Sequence, residues 1–285
     1  METLKAGSFT LEGFAQGGIR TSFGVPEIKI MFDAGTPIPS CIRYKNIFIT
    51  HGHPDHCGAI TNIIARRNLQ RSLPPANVYV PEIMENPLNE IFHQWWILNG
   101  ARGEKFPINI IPVKIGDKIN IGKKLEMVGL KTHHRIDSIG WGVNRTTSKL
   151  KTELIGKMAH EIVEIKKKGI PITDEKTEVA LVVPGDTKIE FLINEPMAQN
   201  ARVLVHEVTV WDENESTIEK CRWYGHTHYM EMIQHCEKFN GDYLILCHRS
   251  MKYSRRFVEI MVKKHFPASM KDKILIFDGG DRDNE

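Results

Sequence analysis

Thr50-His51-Gly52-His53-Pro54-Asp55-His56 governs the reading of this chain. It completes Asn46-Ile47-Phe48-Ile49-Thr50, a short apolar, β-branched run that reads as a buried strand. It precedes residues 57–69, where Ile60, Ile63 and Ile64 recur at helical spacing. The motif therefore lies where a strand ends and a helix begins. His51 and His53 are two apart in extended chain, so both imidazoles point the same way. Asp55 and His56 follow at the turn and point to a neighbouring spot. Neutral imidazoles and a carboxylate suit Zn²⁺ or a similar borderline divalent ion. Four donors within residues 51–56 are too many for one open catalytic site. They predict two ions sharing the loop, ~3.5–4 Å apart, an arrangement that clamps the attacking and leaving oxygens of an in-line displacement.

Two ions need further donors, and three candidates stand at strand ends. They are His134 in KTHHRIDSIGW, Asp186 in VVPGDTK and His248 in LCHRS. Asp186 follows Pro184-Gly185 in a turn, from which a short carboxylate can reach both ions. Elsewhere strand-like segments fall at 27–32, 77–80, 108–113, 125–130, 179–183, 202–206 and 243–247. Helical segments fall at 82–97, 149–168, 227–239 and 254–265. There is no internal repeat and no Pro/Ser/Gly linker, so residues 1–285 are expected to form a single domain. Mixed strands and helices without strict alternation suggest an α+β or layered α/β/α arrangement.

Composition narrows the function classes. Apolar residues make up 41% and charged residues 26%, ordinary for a globular protein. A net charge of +3 excludes nucleic-acid binding by bulk charge alone, though not by a local basic patch. No apolar run approaches the ~20 residues that span a bilayer, and the start lacks a secretory pattern. Five cysteines without a CxxC argue against a disulfide framework and fit a reducing, cytoplasmic setting. Cys57 and Cys247 flank candidate ligands but are expected to pack in the core. So are Trp95, Trp96, Trp141, Trp211 and Trp223, as core or interface residues.

From Phe32-Asp33-Ala34-Gly35 to Tyr253 the chain resembles the metallo-β-lactamase superfamily, and within it the short-form tRNase Z (ribonuclease Z) branch. HGHPDH is similar to the His-x-His-x-Asp-His motif. THHRIDSIGW resembles the third motif, with the ligand on His134 rather than His133, and PGDT resembles the bridging-aspartate motif, on Asp186. VLVHEVTV resembles the branch's Glu segment, on Glu207. YGHTHYMEMIQHCEKF resembles its His segment, on His226 and His228, and LCHRSMKY resembles its last His motif, on His248. The resemblance implies an α/β fold, the αβ/βα four-layer sandwich, with two zinc ions and phosphodiester hydrolysis (Mn²⁺ or another divalent ion can substitute). One zinc would be held by His51, His53 and His134, the other by Asp55, His56 and His248, with Asp186 bridging. Asp33 would hold a ligand imidazole in its tautomer. A homodimer is implied by the same analogy.

The expected chemistry assigns three catalytic groups. Asp55 accepts a proton from the attacking water. His226 protonates the leaving ribose 3′-oxygen, and Glu207 orients and charges His226. Ser138, Arg249, Ser250, Lys252 and His228 are candidate phosphate contacts.

Three departures from the family pattern bear on the substrate. The interval before Asp186 carries Lys149–Gly169, six lysines against three glutamates, in place of a Gly-Pro-tipped arm. It is expected to be a Lys-rich helical insertion that either tracks phosphates or is simply solvated. Lys252 stands where the family usually has Arg, and QGGIRTSF replaces the usual Gly-Thr-Gly opening. Two enzymatic readings follow: endonucleolytic removal of the 3′ trailer from precursor tRNA, and hydrolysis of a small 3′,5′-cyclic nucleotide. Arm-less relatives include cyclic-nucleotide phosphodiesterases, some used by viruses against nucleotide-signalling defence. A third reading is an inactive, metal-bound nucleic-acid-binding module. No membrane partner is expected.

Overall fold

The structure is a computed structural model that describes residues 1–70, 72–100, 106 and 108–280. Its strands build two sheets. In the first, β1 (Glu2–Ala6), β2 (Phe9–Gly17), β3 (Arg20–Val25), β4 (Ile30–Phe32), β5 (Asn46–Phe48), β6 (Ala76–Pro81) and β7 (Ile108–Val113) lie side by side in chain order. β1 to β4 pair antiparallel and β4 to β7 parallel. The second sheet repeats this plan. β8 (Lys118–Asn120), β9 (Leu125–Lys131), β10 (Ile139–Leu150) and β11 (Thr173–Val183) pair antiparallel. β12 (Val203–Glu207) and β13 (Tyr243–Cys247) then continue in parallel. A two-residue strand, β14 (Arg249–Ser250), crosses to pair with β2, and β15 (Ile274–Phe277) closes the second sheet beside β13.

Alternation along the parallel strands builds the layers. Leu181, Val183, Val203, Val205 and Ile245, with Trp141 of the same sheet, face the other sheet, where they meet Phe23, Phe32 and Phe48. Val182, Leu204, Leu244 and Leu246 face the opposite way. There they are covered by α5 (Glu190–Asn194), α6 (Pro196–Asn200), α8 (Tyr229–His235), α9 (Arg255–His265) and α10 (Ala268–Lys271), with α7 (Ser216–Trp223) preceding α8. Met31, Ile47 and Val78 do the same for the first sheet, under α1 (Pro54–Cys57), α2 (Ile60–Leu69) and α3 (Glu85–Leu98). Strands buried on both faces read as continuous apolar runs for this reason. Each such side chain contributes roughly 1.5–3 kcal/mol of burial. The layers run helix, sheet, sheet, helix, the expected αβ/βα sandwich. Among the described residues no helix is long and apolar enough to cross a membrane.

The expected helix over 149–168 is corrected. β10 runs on to Leu150, and its residues Trp141–Leu150 pair with Thr173–Val183, with one break in register between Val143 and Asn144. There a single 3-10 turn at Thr152–Leu154 and the α-helix α4 (Ala159–Lys167) are all that is helical, toward the tip of a long hairpin. Cross-strand contacts outweigh the helical spacing: Thr146 meets Thr177 at 2.8 Å and Arg145 pairs with Glu178 at 3.1 Å. α4 buries none of its residues. The 27–32 strand shrinks to β4, and the 227–239 helix starts only at Tyr229. Trp141 and Trp211 are buried as expected, whereas Trp95 and Trp223 are exposed.

Candidate metal centre

The carboxyl ends of the central strands gather at one edge, where ligands bind in open α/β sheets. Asp33 follows β4, the Thr50–His56 motif follows β5, His134 follows β9 and Asp186 follows β11. Glu207 ends β12 and His248 follows β13. Asp33 and His248 hold left-handed backbone, φ 54° and 58°. That conformation costs a non-glycine residue about 1 kcal/mol or more and clusters at functional sites. Gly185 is required beside them. At φ +70° it packs so closely that a Cβ would sit 2.6 Å from Thr50.

Two groups of donor atoms face each other. His51 Nε2 lies 3.0 Å from His53 Nδ1, which lies 3.3 Å from His134 Nε2. His56 Nε2 lies 3.1 Å from His248 Nε2, and Asp55 Oδ2 is 3.4 Å from the latter. Asp186 spans both groups. Its Oδ2 is 3.6 Å from His51 Nε2, and its Oδ1 is 3.3 Å from both His56 Nε2 and His248 Nε2. His51, His53, His134 and Asp186 thus form one possible metal-holding group, and Asp55, His56 and His248 another.

The outer hydrogen bonds show what these inner atoms are. His56 Nδ1 donates to Asp33 at 2.7 Å, and His134 Nδ1 donates to the Gly225 carbonyl at 3.0 Å. Thr50 Oγ1 gives its proton to Asp33, so it accepts from His51 Nδ1 at 3.0 Å. Thr209 Oγ1 gives its proton to Glu207, so it accepts from His248 Nδ1 at 3.0 Å. In the neutral imidazoles each remaining nitrogen is then a lone pair. Lone pairs aimed at one another across ~3 Å repel unless a cation lies among them, and Asp186 Oδ1 is buried without a hydrogen-bond partner. The donor set fits divalent metal ions. Burial holds His51, His53 and His134 below the ordinary imidazole range, which keeps them neutral and ready to ligate. Burial works the same way on His56, but Asp186 and Asp33 prevail and raise it.

His226 stands beside the second group. Its Nδ1 lies 2.8 Å from Glu207 Oε1 and 3.8 Å from Asp186. Burial would lower it, yet Glu207 overrides this and lifts its pKa to about 9. Glu207 is fixed in turn by the Thr187 amide and the Thr209 hydroxyl. Gly18 of the β2–β3 turn reaches in as well, its amide donating to Asp55 Oδ2 at 2.9 Å.

The phosphate candidates divide. Ser138 lies against His51, its Oγ 2.6 Å from Thr132 Oγ1. Ser250 is half-buried, and its amide donates to the Thr209 carbonyl. Lys252 is exposed near Asp212 and over the Tyr253 ring. Two candidates are corrected. Arg249 is buried on Asp278 at 2.6 Å and donates to the Tyr253 carbonyl, so it ties the C-terminal loop down. His228 is fully buried as the N-cap of α8. Its Nδ1 accepts from the Met230 amide and its Nε2 lies 2.9 Å from Thr217 Oγ1. Sequence reasoning misses Thr50, Thr209 and Gly18. Thr50 and Thr209 lie inside the His-rich and Glu-containing motifs, but their hydroxyl roles show only once the strands are assembled.

No family model matches the chain. Over 274 residues it is 32% identical to tRNase Z TRZ1 of Arabidopsis thaliana, covering 95% of this chain and 96% of that protein. The chain belongs to the tRNase Z family. That membership makes it a metal-dependent phosphodiester hydrolase. Human tRNase Z, short form, superposes with a TM-score of 0.58 at 14% identity, over 93% of this chain and 94% of that one. The metallo-β-lactamase fold protein YhfI of Bacillus subtilis gives 0.63 at 14% identity, over 94% and 95%. These two likenesses show the metallo-β-lactamase fold alone.

Proposed function

We propose that this protein is an endoribonuclease that removes the 3′ trailer from precursor tRNA. The observation that carries the reading is the His226–Glu207 pair, 2.8 Å apart, set against the converging imidazoles and carboxylates. That pair supplies a charged acid for an alkoxide leaving group. His51, His53 and His134 would hold one Zn²⁺, Asp55, His56 and His248 the other, and Asp186 would serve both. Ions held there acidify water and offset charge on the phosphoryl oxygens.

The chain's own groups complete the reaction. Asp55 accepts the proton of the water that attacks phosphorus. The bond from phosphorus to the ribose 3′-oxygen breaks, and His226 Nε2 gives its proton to that oxygen. Glu207 keeps hold of Nδ1–H throughout and stabilises the cation before transfer. Asp33, through His56, keeps a ligand tautomer fixed. The products are a 3′-hydroxyl on the tRNA and a 5′-phosphate on the trailer. A cytoplasmic setting fits five free cysteines. A homodimer is part of the proposal on family grounds, and the molar mass in solution tests it.

The experiment offers precursor tRNA and 3′,5′-cyclic nucleotides in parallel to zinc-loaded and chelator-stripped protein. The expected result is zinc-dependent cutting of the precursor that leaves a 3′-hydroxyl. Hydrolysis of the cyclic compounds alone would replace the tRNA reading with a cyclic-nucleotide phosphodiesterase. Failure on both substrates would favour a binding module.

A further inference from the structure

We infer that Trp223, Tyr224 and Arg135 form a stacking platform for the base of the nucleotide just 5′ of the scissile phosphate. The inference rests on the proposed RNA substrate.

The placement comes from two chain segments meeting at the rim of the site. Trp223 ends α7, and Tyr224 and Gly225 lead from it to His226. His134 and Arg135 lie directly against that turn. The Gly225 carbonyl accepts from His134 Nδ1, and a Cβ on Gly225 would come within 2.5 Å of the Arg135 amide. The aromatic pair therefore sits within three residues of the proposed acid, and Arg135 is next to a proposed ligand.

The three side chains face outward together. Trp223 is 67% exposed and Tyr224 42% exposed. Their rings meet edge to face, centroids 4.8 Å apart. The Arg135 guanidinium lies 5.7 Å from both ring centroids. An exposed tryptophan and tyrosine under one arginine are costly to leave in water, and this mixture of ring faces and cation is what unpaired bases stack on. The platform is also held rigid. Arg222, one residue before Trp223, pairs with both Glu190 and Glu231. Glu231 caps the next helix through the His228 amide. A surface fixed before binding loses little entropy when a base docks.

The reaction chemistry chooses which base. His226 must lie beside the leaving 3′-oxygen, on the side opposite the attacking water. That oxygen belongs to the nucleotide 5′ of the cut. Residues that run straight into His226 therefore lie near that nucleoside rather than the trailer. The inferred role is specificity-determining: it positions the leaving ribose for the acid.

The test compares Trp223→Ala, Tyr224→Ala and Trp223→Phe with the unaltered protein on two precursor RNAs. One is intact, and the other is abasic at the nucleotide 5′ of the cut. Each alanine variant should lower kcat/KM on intact RNA by about 5- to 100-fold, the range for removing one base–aromatic stack. Trp223→Phe should restore most of the activity. On abasic RNA the variants and the unaltered protein should match within about two-fold, because no base is left to stack. A 2-aminopurine at the same position should be quenched on binding by the unaltered, metal-free protein and not by Trp223→Ala. Unchanged kcat/KM on intact RNA overturns the platform, and so does an equal drop on both RNAs. If the unaltered protein cuts neither RNA but hydrolyses a small diester, the RNA substrate itself has failed, and the platform falls with it.

Discussion

The buried centre and the outer half of the β10–β11 hairpin follow opposite rules. In the centre four candidate ligands are each anchored by a second contact: His56 by Asp33, His51 by Thr50, His134 by the Gly225 carbonyl, His248 by Thr209. In the hairpin α4 buries nothing, and Lys166, Lys167 and Lys168 are solvated. Function in the first region depends on single atoms held to fractions of an ångström. Function in the second can depend only on summed charge. Substitutions should therefore separate the two by orders of magnitude.

The largest effect belongs to the acid. His226→Ala is expected to lower kcat by about 10²–10⁴, with metal content by elemental analysis unchanged. Glu207→Gln breaks the pair more gently. His226 must be protonated to act, so activity in the unaltered protein should hold until the pH approaches about 9 and fall above it. Without the Glu207 charge the alkaline limb of the kcat–pH profile should move to lower pH. An unmoved limb would remove Glu207 from the mechanism.

Next comes the anchoring shell. Asp33→Ala leaves every proposed ligand in place but frees His56 and Thr50. Metal affinity or activity should drop about 10–100-fold, read by competition with a chelator. An unchanged affinity would mean that the ligands orient themselves and that the centre is no more demanding than the hairpin.

A smaller effect tests the scaffold beside the site. Burial pulls the His228 pKa down to about 4, with Asp212 opposing. The folded value is depressed below the unfolded value of ~6.5. The neutral form is therefore favoured by folding, and its stabilisation is complete above about pH 6.5 and fades as pH falls toward about 4. Protonating Nδ1 would also cancel the cap it offers Met230. Denaturant unfolding should show roughly 1–3 kcal/mol less stability at pH 4.5 than at pH 7 from this group, a slope that His228→Asn should flatten.

The smallest effect is on the hairpin. Replacing Lys166, Lys167 and Lys168 with Ala should leave kcat alone. If the tip touches RNA, the slope of log affinity against log salt should fall by up to ~0.7–0.9 for each phosphate that the lysines no longer neutralise. An identical slope would make the tip an ordinary solvated face.

The same contrast explains what can be read from sequence. The ligand set is legible because its chemistry demands particular residue types at fixed spacing, as in His51, His53, Asp55 and His56. The layered fold follows from apolar runs such as Tyr243–Cys247, which only a doubly buried strand explains. Lys149–Gly169 misleads because Leu150, Leu154 and Met158 mimic a helical stripe, while the pairing that makes residues 144–150 a strand comes from 173–179, more than twenty positions away. Arg249 and His228 mislead for a related reason. A cation or imidazole near a motif looks like a substrate contact until its buried partner, Asp278 or the Met230 amide, is in view.

The irregularity in β10 between Val143 and Asn144 has an evolutionary consequence. Inward of it, inserting or deleting one residue would swap Trp141 and Val143 from one layer to another. Outward of Thr146 and Thr177, beyond the Arg145 contact with Ser8 and Phe9, matched insertions or deletions in both strands disturb no shared layer. Lineages are thus free to lengthen, shorten or redecorate this projection without retuning the catalytic edge, so variation among kin should concentrate there in length as much as in residue type.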